Sequence, residues 1–360
     1  MQRKKIDKIV INGRFLSQRL TGVQRYALET VLALDALLVD FPVPVELAVP
    51  VAVDASRLPL TTIVPVVVGR RQGIVWEQLD LARYIKRERG LGVHFCNSVP
   101  VLAPDGIVCI HDITYKVNPQ FVTTRHLVLA RLWHMMQYRI GARRSLHVFT
   151  VSAFSKRQIC DAYRIPETKV SVAYNGWQHF SPEIDPPDSL ESFPQLKDRG
   201  YYFSLATMAK NKNFRWIVES AKSNPQEVYA VAGNIDLKRL GDVVGTALPG
   251  NMYCLGYVTD NDAKILMKHC KAFLFPSLYE GFGIPPLEAL AMGAQVVCSN
   301  AACLPEIFGD AVHYIDPTNA DVDLTALLAQ EVAPAQTILE KYSWKGTASC
   351  YYDEILRSIR

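Results

Sequence analysis

Phe275-Pro276-Ser277-Leu278-Tyr279-Glu280-Gly281-Phe282-Gly283-Ile284-Pro285-Pro286-Leu287-Glu288-Ala289-Leu290-Ala291-Met292-Gly293 is the stretch whose reading decides the fold. The apolar run Ala272 to Phe275 leads into it and reads as a buried strand. That strand ends in a loop holding Gly281 and Gly283, two prolines open a helix over Pro286 to Met292, and Gly293 stops it. Strand, glycine loop and helix in this order make half of a parallel βαβ unit. The glycines let a ligand come close to the backbone. The unpaired N–H groups at the helix start suit an anion such as a diphosphate. Glu280 falls in the loop and Glu288 in the first helical turn, so the two carboxylates meet different parts of a ligand. A tight turn whose glutamate only complements the helix dipole fits the same local residues.

Working outward, the strand–helix alternation covers the whole chain. Behind the opening stretch lie strands at Tyr201 to Ala206, Val228 to Ala232 and Met252 to Leu255, and beyond it at Gln295 to Cys298 and Val312 to Ile315. Helices fall between them at Phe214 to Lys222, Asp260 to Lys271 and Leu304 to Phe308. The earlier half repeats the pattern. Its strands are Ile6 to Ile11, Val45 to Val49, Ile63 to Val68, Val93 to Phe95, Ile107 to Ile110, Leu146 to Val151 and Val170 to Ala173. Its helices are Thr21 to Leu38, Val75 to Glu88, Phe121 to Arg144 and Ser152 to Tyr163. This predicts an α/β class with two Rossmann-like, doubly wound domains facing across a cleft. Domain limits follow from composition. The first domain spans 1–180, a proline-rich, acidic linker covers 181–199, and the second domain spans 200–342. A last amphipathic helix, Ser343 to Ile359, is predicted to return to the first domain.

Composition narrows the function classes. The chain has 360 residues, 49% of them hydrophobic and 21% charged, a balance that excludes disorder. A net charge of +4 suits anionic substrates and does not call for nucleic acid. No apolar run is long enough to cross a bilayer, and no apolar segment follows the basic start Met1-Gln2-Arg3-Lys4-Lys5, so no secretory signal is read. The eight cysteines form no C-x-x-C pair and read as reduced core thiols of a cytoplasmic protein.

Several residues stand where an α/β fold keeps its chemistry. His111-Asp112 follows the apolar strand end at Ile110, a position that also accommodates a structural histidine and a capping aspartate. Lys212 follows the first strand of the second half, where it serves either a phosphate or a solvated basic turn. Arg25 opens the first long helix. The stretch Arg125 to Arg144 interleaves five arginines with Leu129, Leu132, Trp133 and Met136. It fits an anionic membrane surface or an ordinary domain helix with a basic face. Asp321-Val322-Asp323 is a D-x-D by spelling, placed where carboxylates suit a helix start. No G-x-G-x-x-G follows the first strand, which argues against a nicotinamide-dependent oxidoreductase.

The carboxylate pair within E-G-F-G-x-P-x-L-E resembles the signature of glycosyltransferase family 4, retaining enzymes of the GT-B fold that use nucleotide-sugar donors. Other stretches resemble the family's landmarks in the family's order: Thr21-Gly22-Val23-Gln24-Arg25-Tyr26, Ile110-His111-Asp112, Val151-Ser152-Ala153-Phe154-Ser155-Lys156, Tyr174-Asn175-Gly176, Asn211-Lys212-Asn213-Phe214 and Leu255-Gly256-Tyr257-Val258. The resemblance implies roles for single residues. His111, Lys212 and Glu280 would be catalytic, with Lys212 on the diphosphate and Glu280 on the donor sugar's hydroxyls. Gly22, Arg25, Thr207, Val258, Phe282, Gly283 and Ile284 would line the donor, and Glu288 would accept from the ribose hydroxyls. Asp112 would face the acceptor. Thr207 stands where the family usually has an arginine, which leaves room for a non-catalytic nucleotide-sugar binder. The implied substrates are a nucleoside-diphosphate sugar and a lipid-linked saccharide at the inner membrane face, with no metal. The opening residues Ile11 to Leu16 and Thr21 to Tyr26 resemble bacterial enzymes that build surface polysaccharides.

Overall fold

The computed structural model describes residues 5–121, 125–185, 188–235 and 247–360. The basic start Met1 to Lys4, residues 122–124 of the predicted helix Phe121 to Arg144, and Pro186 and Pro187 of the predicted linker lie outside the described residues. The chain divides into two compact units, Met1–Gly176 with Ser343–Arg360, and Trp177–Tyr342.

The first unit is built on seven strands. They are β1 (Lys8–Asn12), β2 (Val45–Val49), β3 (Val64–Val67), β4 (Gly90–His94), β5 (Ile107–Cys109), β6 (His147–Thr150) and β7 (Val170–Val172). All pair in parallel, in the order β3-β2-β1-β4-β5-β6-β7. The order reverses between β1 and β4, the position at which such sheets open a crevice beyond their carboxyl ends. Ile9, Val10 and Ile11 are fully buried, as expected for a central parallel strand covered on both faces. Helix Gly22–Asp35 lays Tyr26, Ala27, Thr30, Val31 and Leu34 against the sheet at helical spacing. Helix Trp344–Ile359, capped by Ser343 Oγ accepting from the Gly346 N–H, packs against it. There the Tyr26 and Tyr351 hydroxyls lie 3.2 Å apart, and the Tyr351 ring packs on Phe95 and Phe149.

The helix predicted at Val75 to Glu88 begins at Gly73 and ends at Arg87. It contains a π-helical segment, Trp76–Leu81, that its sequence periodicity does not show.

The second unit carries six parallel strands. They are β8 (Tyr201–Leu205), β9 (Val228–Ala232), β10 (Met252–Gly256), β11 (Ala272–Phe275), β12 (Val296–Ser299) and β13 (His313–Ile315). The order is β10-β9-β8-β11-β12-β13, reversing between β8 and β11. Its core packs Trp216, Ile217 and Ala221 of helix Phe214–Ser223 onto Tyr229, Val231 and Leu274 of the sheet.

Residues 181–199 are part of this unit rather than an open linker. Phe193 and Leu196 are buried, and the segment's polar groups bind helix Asp260–His269. Lys264 Nζ donates to Glu183 O at 2.9 Å, the Asp185 N–H to Asn261 Oδ1 at 2.9 Å, and Asp188 pairs with Lys268 and His269. The unit starts earlier than composition suggested. Trp177 Nε1 donates to Leu339 O and Gln178 Nε2 to Tyr342 O, which ties residues 177–180 to the second unit.

Candidate functional site

The second unit's switch point is flanked by β8 and β11. After β8 the chain enters the turn Lys210–Lys212, and Asn213 follows in the left-handed region, φ +54°, before helix Phe214–Ser223. Two asparagines tie this turn to the loops after β11 and β13. Asn213 Nδ2 donates to Pro276 O (3.0 Å) and Pro317 O (2.8 Å). Asn211 Nδ2 donates to Tyr279 O (3.3 Å), and the Asn211 carbonyl accepts from the Leu278 N–H (2.7 Å). The anchored turn brings Lys212 Nζ to 2.7 Å from Glu280 Oε1 and 5.4 Å from the centre of the Phe275 ring. Lys212 and Glu280, 68 positions apart, are thus one ion pair in the structure.

Gly283 sets the next element. Its φ of +102° suits glycine, and an added Cβ would stand 2.9 Å from Leu304 Cδ2. From this turn the helix starts at Ile284, two residues before the predicted Pro286, because Pro285 and Pro286 fit the first turn, where no N–H is needed. Glu288 is therefore the helix's fifth residue and does not lie in its first turn, so dipole complementation does not account for it. Its carboxylate instead meets His179 Nε2 at 2.9 Å, and both side chains are nearly buried. His179 sits in the turn Gln178–Phe180, and nothing in its local sequence marked it.

The remaining residues of the second unit are placed as follows. Phe282 is buried with its ring edge-on to Tyr342, and its carbonyl faces Cys303 Sγ at 3.4 Å. Ile284 is half-buried at the helix start, and Val258 is half-buried after β10. Thr207 is exposed, and its hydroxyl accepts from the Ala209 N–H at 3.3 Å, so it shapes the turn. Asp323 caps helix Leu324–Leu328 through the Ala326 N–H. Among the described residues no group of three or more His, Cys, Asp or Glu stands close enough to hold a metal.

In the first unit His111 is buried at the end of β5. Its N–H donates to Asn97 Oδ1 (2.7 Å), and its ring stands edge-on to Tyr26. Nε2 lies 2.8 Å from Phe95 O. A carbonyl only accepts, so Nε2 carries the proton, and in the neutral ring Nδ1 is the acceptor. Burial pushes the His111 pKa down, opposed by the Phe95 carbonyl and by Asp112, so the ring is neutral near pH 7. Asp112 Oδ1 accepts from the Thr114 N–H and hydroxyl, at 2.8 and 2.6 Å, which is the capping role. Gly22 is the first residue of helix Gly22–Asp35, and Arg25 pairs with Glu29 at 3.8 Å one turn on.

Two family models match consecutive parts of the chain: "Glycosyltransferase Family 4" over residues 20–178 and "Glycosyl transferases group 1" over residues 188–331. The chain belongs to glycosyltransferase family 4. The first model covers six of the seven strands β1 to β7, and the second holds Lys212, Glu280 and Glu288. Among family relatives, the chain is 30% identical over 221 residues to O-antigen chain mannosyltransferase B of Escherichia coli, matching 55% of this chain and 57% of that one. It is 27% identical over 228 residues to O-antigen chain mannosyltransferase RfbU of Salmonella typhimurium, at 61% and 59% coverage. These matches span less than two thirds of the relatives' own length. Among solved structures, Anabaena HepE in complex with UDP and glucose aligns with a TM-score of 0.69 at 17% identity, covering 97% of this chain and 99% of that one. WaaG, a glycosyltransferase involved in lipopolysaccharide biosynthesis, aligns with a TM-score of 0.62 at 14% identity, covering 96% and 94%. At these identities the structural likeness shows the fold, two α/β units of the GT-B class.

Proposed function

We propose that this family 4 chain is a retaining glycosyltransferase. It moves a sugar of the mannose class from a nucleoside diphosphate to a hydroxyl of a saccharide acceptor, in the building of a bacterial surface polysaccharide. The observation that carries the reading is the grouping of Lys212, Glu280, Gly283 and Glu288 around the second unit's switch point. The mannose class comes from the names of the relatives. In the reaction the C1–O bond to the diphosphate breaks, a C1–O bond to the acceptor forms, and the acceptor's hydroxyl proton leaves with the diphosphate. The Lys212 ammonium and the helix start after Gly283 meet the charge that builds on the leaving oxygens. Glu280 keeps Lys212 in place and accepts from the donor sugar's hydroxyls. Glu288, held by His179, accepts from the ribose. The neutral His111 offers Nδ1 to a sugar hydroxyl. No step needs a metal, since fixed N–H donors and one ammonium supply the positive charge.

The eight cysteines form no disulfide, which favours a reducing, cytoplasmic setting. Among the described residues no helix is long and apolar enough to cross a membrane. Helix Arg125–Arg144 exposes Val128, Leu129, Leu132 and Met136 along one stripe, with Arg139 and Arg143 further along it. This supports contact with an anionic membrane face that carries a lipid-linked acceptor.

The test is thermal stability with UDP, GDP and dTDP, followed by nucleoside-diphosphate release from the matching sugar donors. A nucleotide at 100 times its Kd stabilises by about 2.7 kcal/mol. A chain that is stabilised by none and releases none is not a transferase of this kind. Binding without turnover would favour the non-catalytic binder, the reading supported by an exposed Thr207 in place of a second cation.

A further inference from the structure

A cavity of about 380 Å³ lies in the first unit beneath the amino ends of β4, β5 and β6. Gly90, Leu91 and Gly92 line it as β4 begins, Asp105 stands just before β5, and Leu146 just before β6. This is the opposite end of the sheet from the carboxyl ends, where His111 stands. The cavity shares no residue with the groupings described above. Its volume falls near the lower end of the range of about 300–1,000 Å³ usual for small-molecule sites.

The floor is apolar. Ile6, Ile85, Leu91, Leu102, Ala103 and Leu146 reach it from five separate stretches of the chain. Ile85, Leu91 and Ala103 are buried, while Leu102 and Leu146, 57% and 50% exposed, form its lips. Folded interiors leave few voids of this size. An apolar hollow that opens to solvent inside a polar rim marks a binding surface.

The rim is cationic. Lys5, Lys86, Arg89 and Arg357 line the cavity against two carboxylates, Asp105 and Glu354. Glu354 is engaged by Arg357, one turn on in the last helix. Lys86 lies in the last turn of the helix that ends at Arg87, where a cation suits the dipole and needs no ligand to explain it. Arg89 is different. It follows that helix in the left-handed region, φ +49°, where helices usually place glycine. A Cβ is unfavourable there, yet the position holds an arginine, and its pairing with Asp7 keeps the guanidinium at the rim. A guanidinium has five N–H donors in a fork that matches the oxygens of a phosphate or a carboxylate.

We propose that this cavity binds a single-chain anionic amphiphile, with its alkyl chain on Ile85, Leu91 and Leu146 and its phosphate or carboxylate head on Arg89 and Lys86. The two parts of the wall together select this class. A bare phosphate or a sugar leaves the apolar floor uncovered, and a neutral hydrocarbon leaves the cations unmatched. The small volume suits one chain and not two, so a two-chain membrane phospholipid fits less well. The site joins the start of β4 to the last helix, Trp344–Ile359, which contributes Glu354, Arg357 and Ser358. A bound chain therefore clamps that helix to the sheet and stabilises the first unit by linkage. The inference makes no use of the transferase reading.

The experiment is calorimetric titration of the full chain with dodecyl phosphate and with dodecanoate, below their micellar concentrations, paired with melting curves. Ethyl phosphate, a head without the chain, and dodecyltrimethylammonium, a chain with the opposite charge, are the controls. Dodecyl phosphate should bind and raise the Tm, and both controls should bind at least tenfold more weakly, about 1.4 kcal/mol. Arg89→Gly suits the left-handed backbone, so it should fold and should weaken binding at least tenfold. Leu146→Glu, at an exposed lip, should do the same. Leu129→Glu, on the exposed stripe of helix Arg125–Arg144, should leave binding unchanged. Circular dichroism checks that each variant is folded. The site is overturned if dodecyl phosphate does not bind the wild-type chain, if dodecyltrimethylammonium binds as well, or if the folded Arg89→Gly and Leu146→Glu chains bind as wild type does. Loss of binding in Leu129→Glu would place the amphiphile on helix Arg125–Arg144 and overturn the site as well. Binding to phosphatidylglycerol vesicles without binding to either monomeric amphiphile would show that the partner is a bilayer and that the single-chain assignment is wrong.

Discussion

Replacing Lys212 by Met separates catalysis from stability at this site. The side chain keeps its length and loses its charge. Glu280, whose side chain is 13% exposed, then loses a partner at 2.7 Å. A hydrogen bond to a charged group is worth about 1.5–3 kcal/mol, and the exposed share of Lys212 places the cost at the low end. For a unit the size of Trp177–Tyr342 this lowers Tm by about 3–6 °C. If Lys212 meets the leaving group as proposed, the catalytic loss is larger. Removing one preorganised charge-stabilising donor costs about 10²–10³ in kcat. The matched variant Glu280→Gln frees Lys212 from its carboxylate, so affinity for the free nucleoside diphosphate should hold or rise while donor-sugar turnover falls. Initial rates of nucleoside-diphosphate release, paired with melting curves, report both quantities. A folded Lys212→Met chain with unchanged kcat would refute the leaving-group role. Loss of nucleotide affinity in Glu280→Gln would refute the restraint.

Glu288→Ala and His179→Phe should each weaken binding of the free nucleotide about tenfold or more, because each removes one half of the 2.9 Å contact; calorimetric titration with the preferred nucleotide checks this, and unchanged affinity in both contradicts the ribose role. Acid should weaken the first unit through Asp35. Burial pushes this carboxyl up, but the N–H groups of Ile63, Thr61 and Thr62 and the Thr61 hydroxyl outweigh burial and hold its pKa below the ordinary value. Its contribution is complete above about pH 3.9 and is lost as pH falls through the depressed value. Asp35→Asn should therefore be less stable at pH 7 by about 2–3 kcal/mol, with the gap closing in acid; a constant gap from pH 7 to 2 contradicts the account. Activity should persist in excess chelator, and inactivation reversed by manganese would show that carboxylates hold a required ion.

Most strand positions are legible because buried parallel strands are short, continuous apolar runs. β2, β9 and β11 have the limits that their residues predict. β4 is longer than its β-branched part suggests, since it begins at Gly90 and contains Gly92, and glycine reads as a break. A Cβ at Gly92 would stand 2.6 Å from Nε2 of the buried His94, two residues along the same strand, and 3.2 Å from Ile85 Cδ1 of the helix packed on it. The pairing of Lys212 with Glu280 was not legible, although each residue was, because it depends on the Asn211 and Asn213 hydrogen bonds that join two distant loops. His179 left no local trace, because it lies in an irregular turn, and sequence periodicity does not reveal the π-helical segment Trp76–Leu81. The sequence reading puts Glu288 in the first helical turn because it starts the helix at Pro286, two residues after the true start at Ile284.

Helix Trp344–Ile359 belongs to a unit whose other residues precede it by the whole of Trp177–Tyr342. During synthesis the first unit therefore cannot close on its own. Tyr26, Phe95 and Phe149 await Tyr351, the ring that covers them, until the ribosome has made the second unit. The second unit is contiguous and can mature first, reversing the usual order in which domains fold from the amino end. A chain stalled or cut before Ser343 would present an aromatic patch to solvent while Lys212, Glu280 and Glu288 were already in place. Such a fragment should aggregate or engage chaperones, since helix Trp344–Ile359 is the piece that closes the first unit.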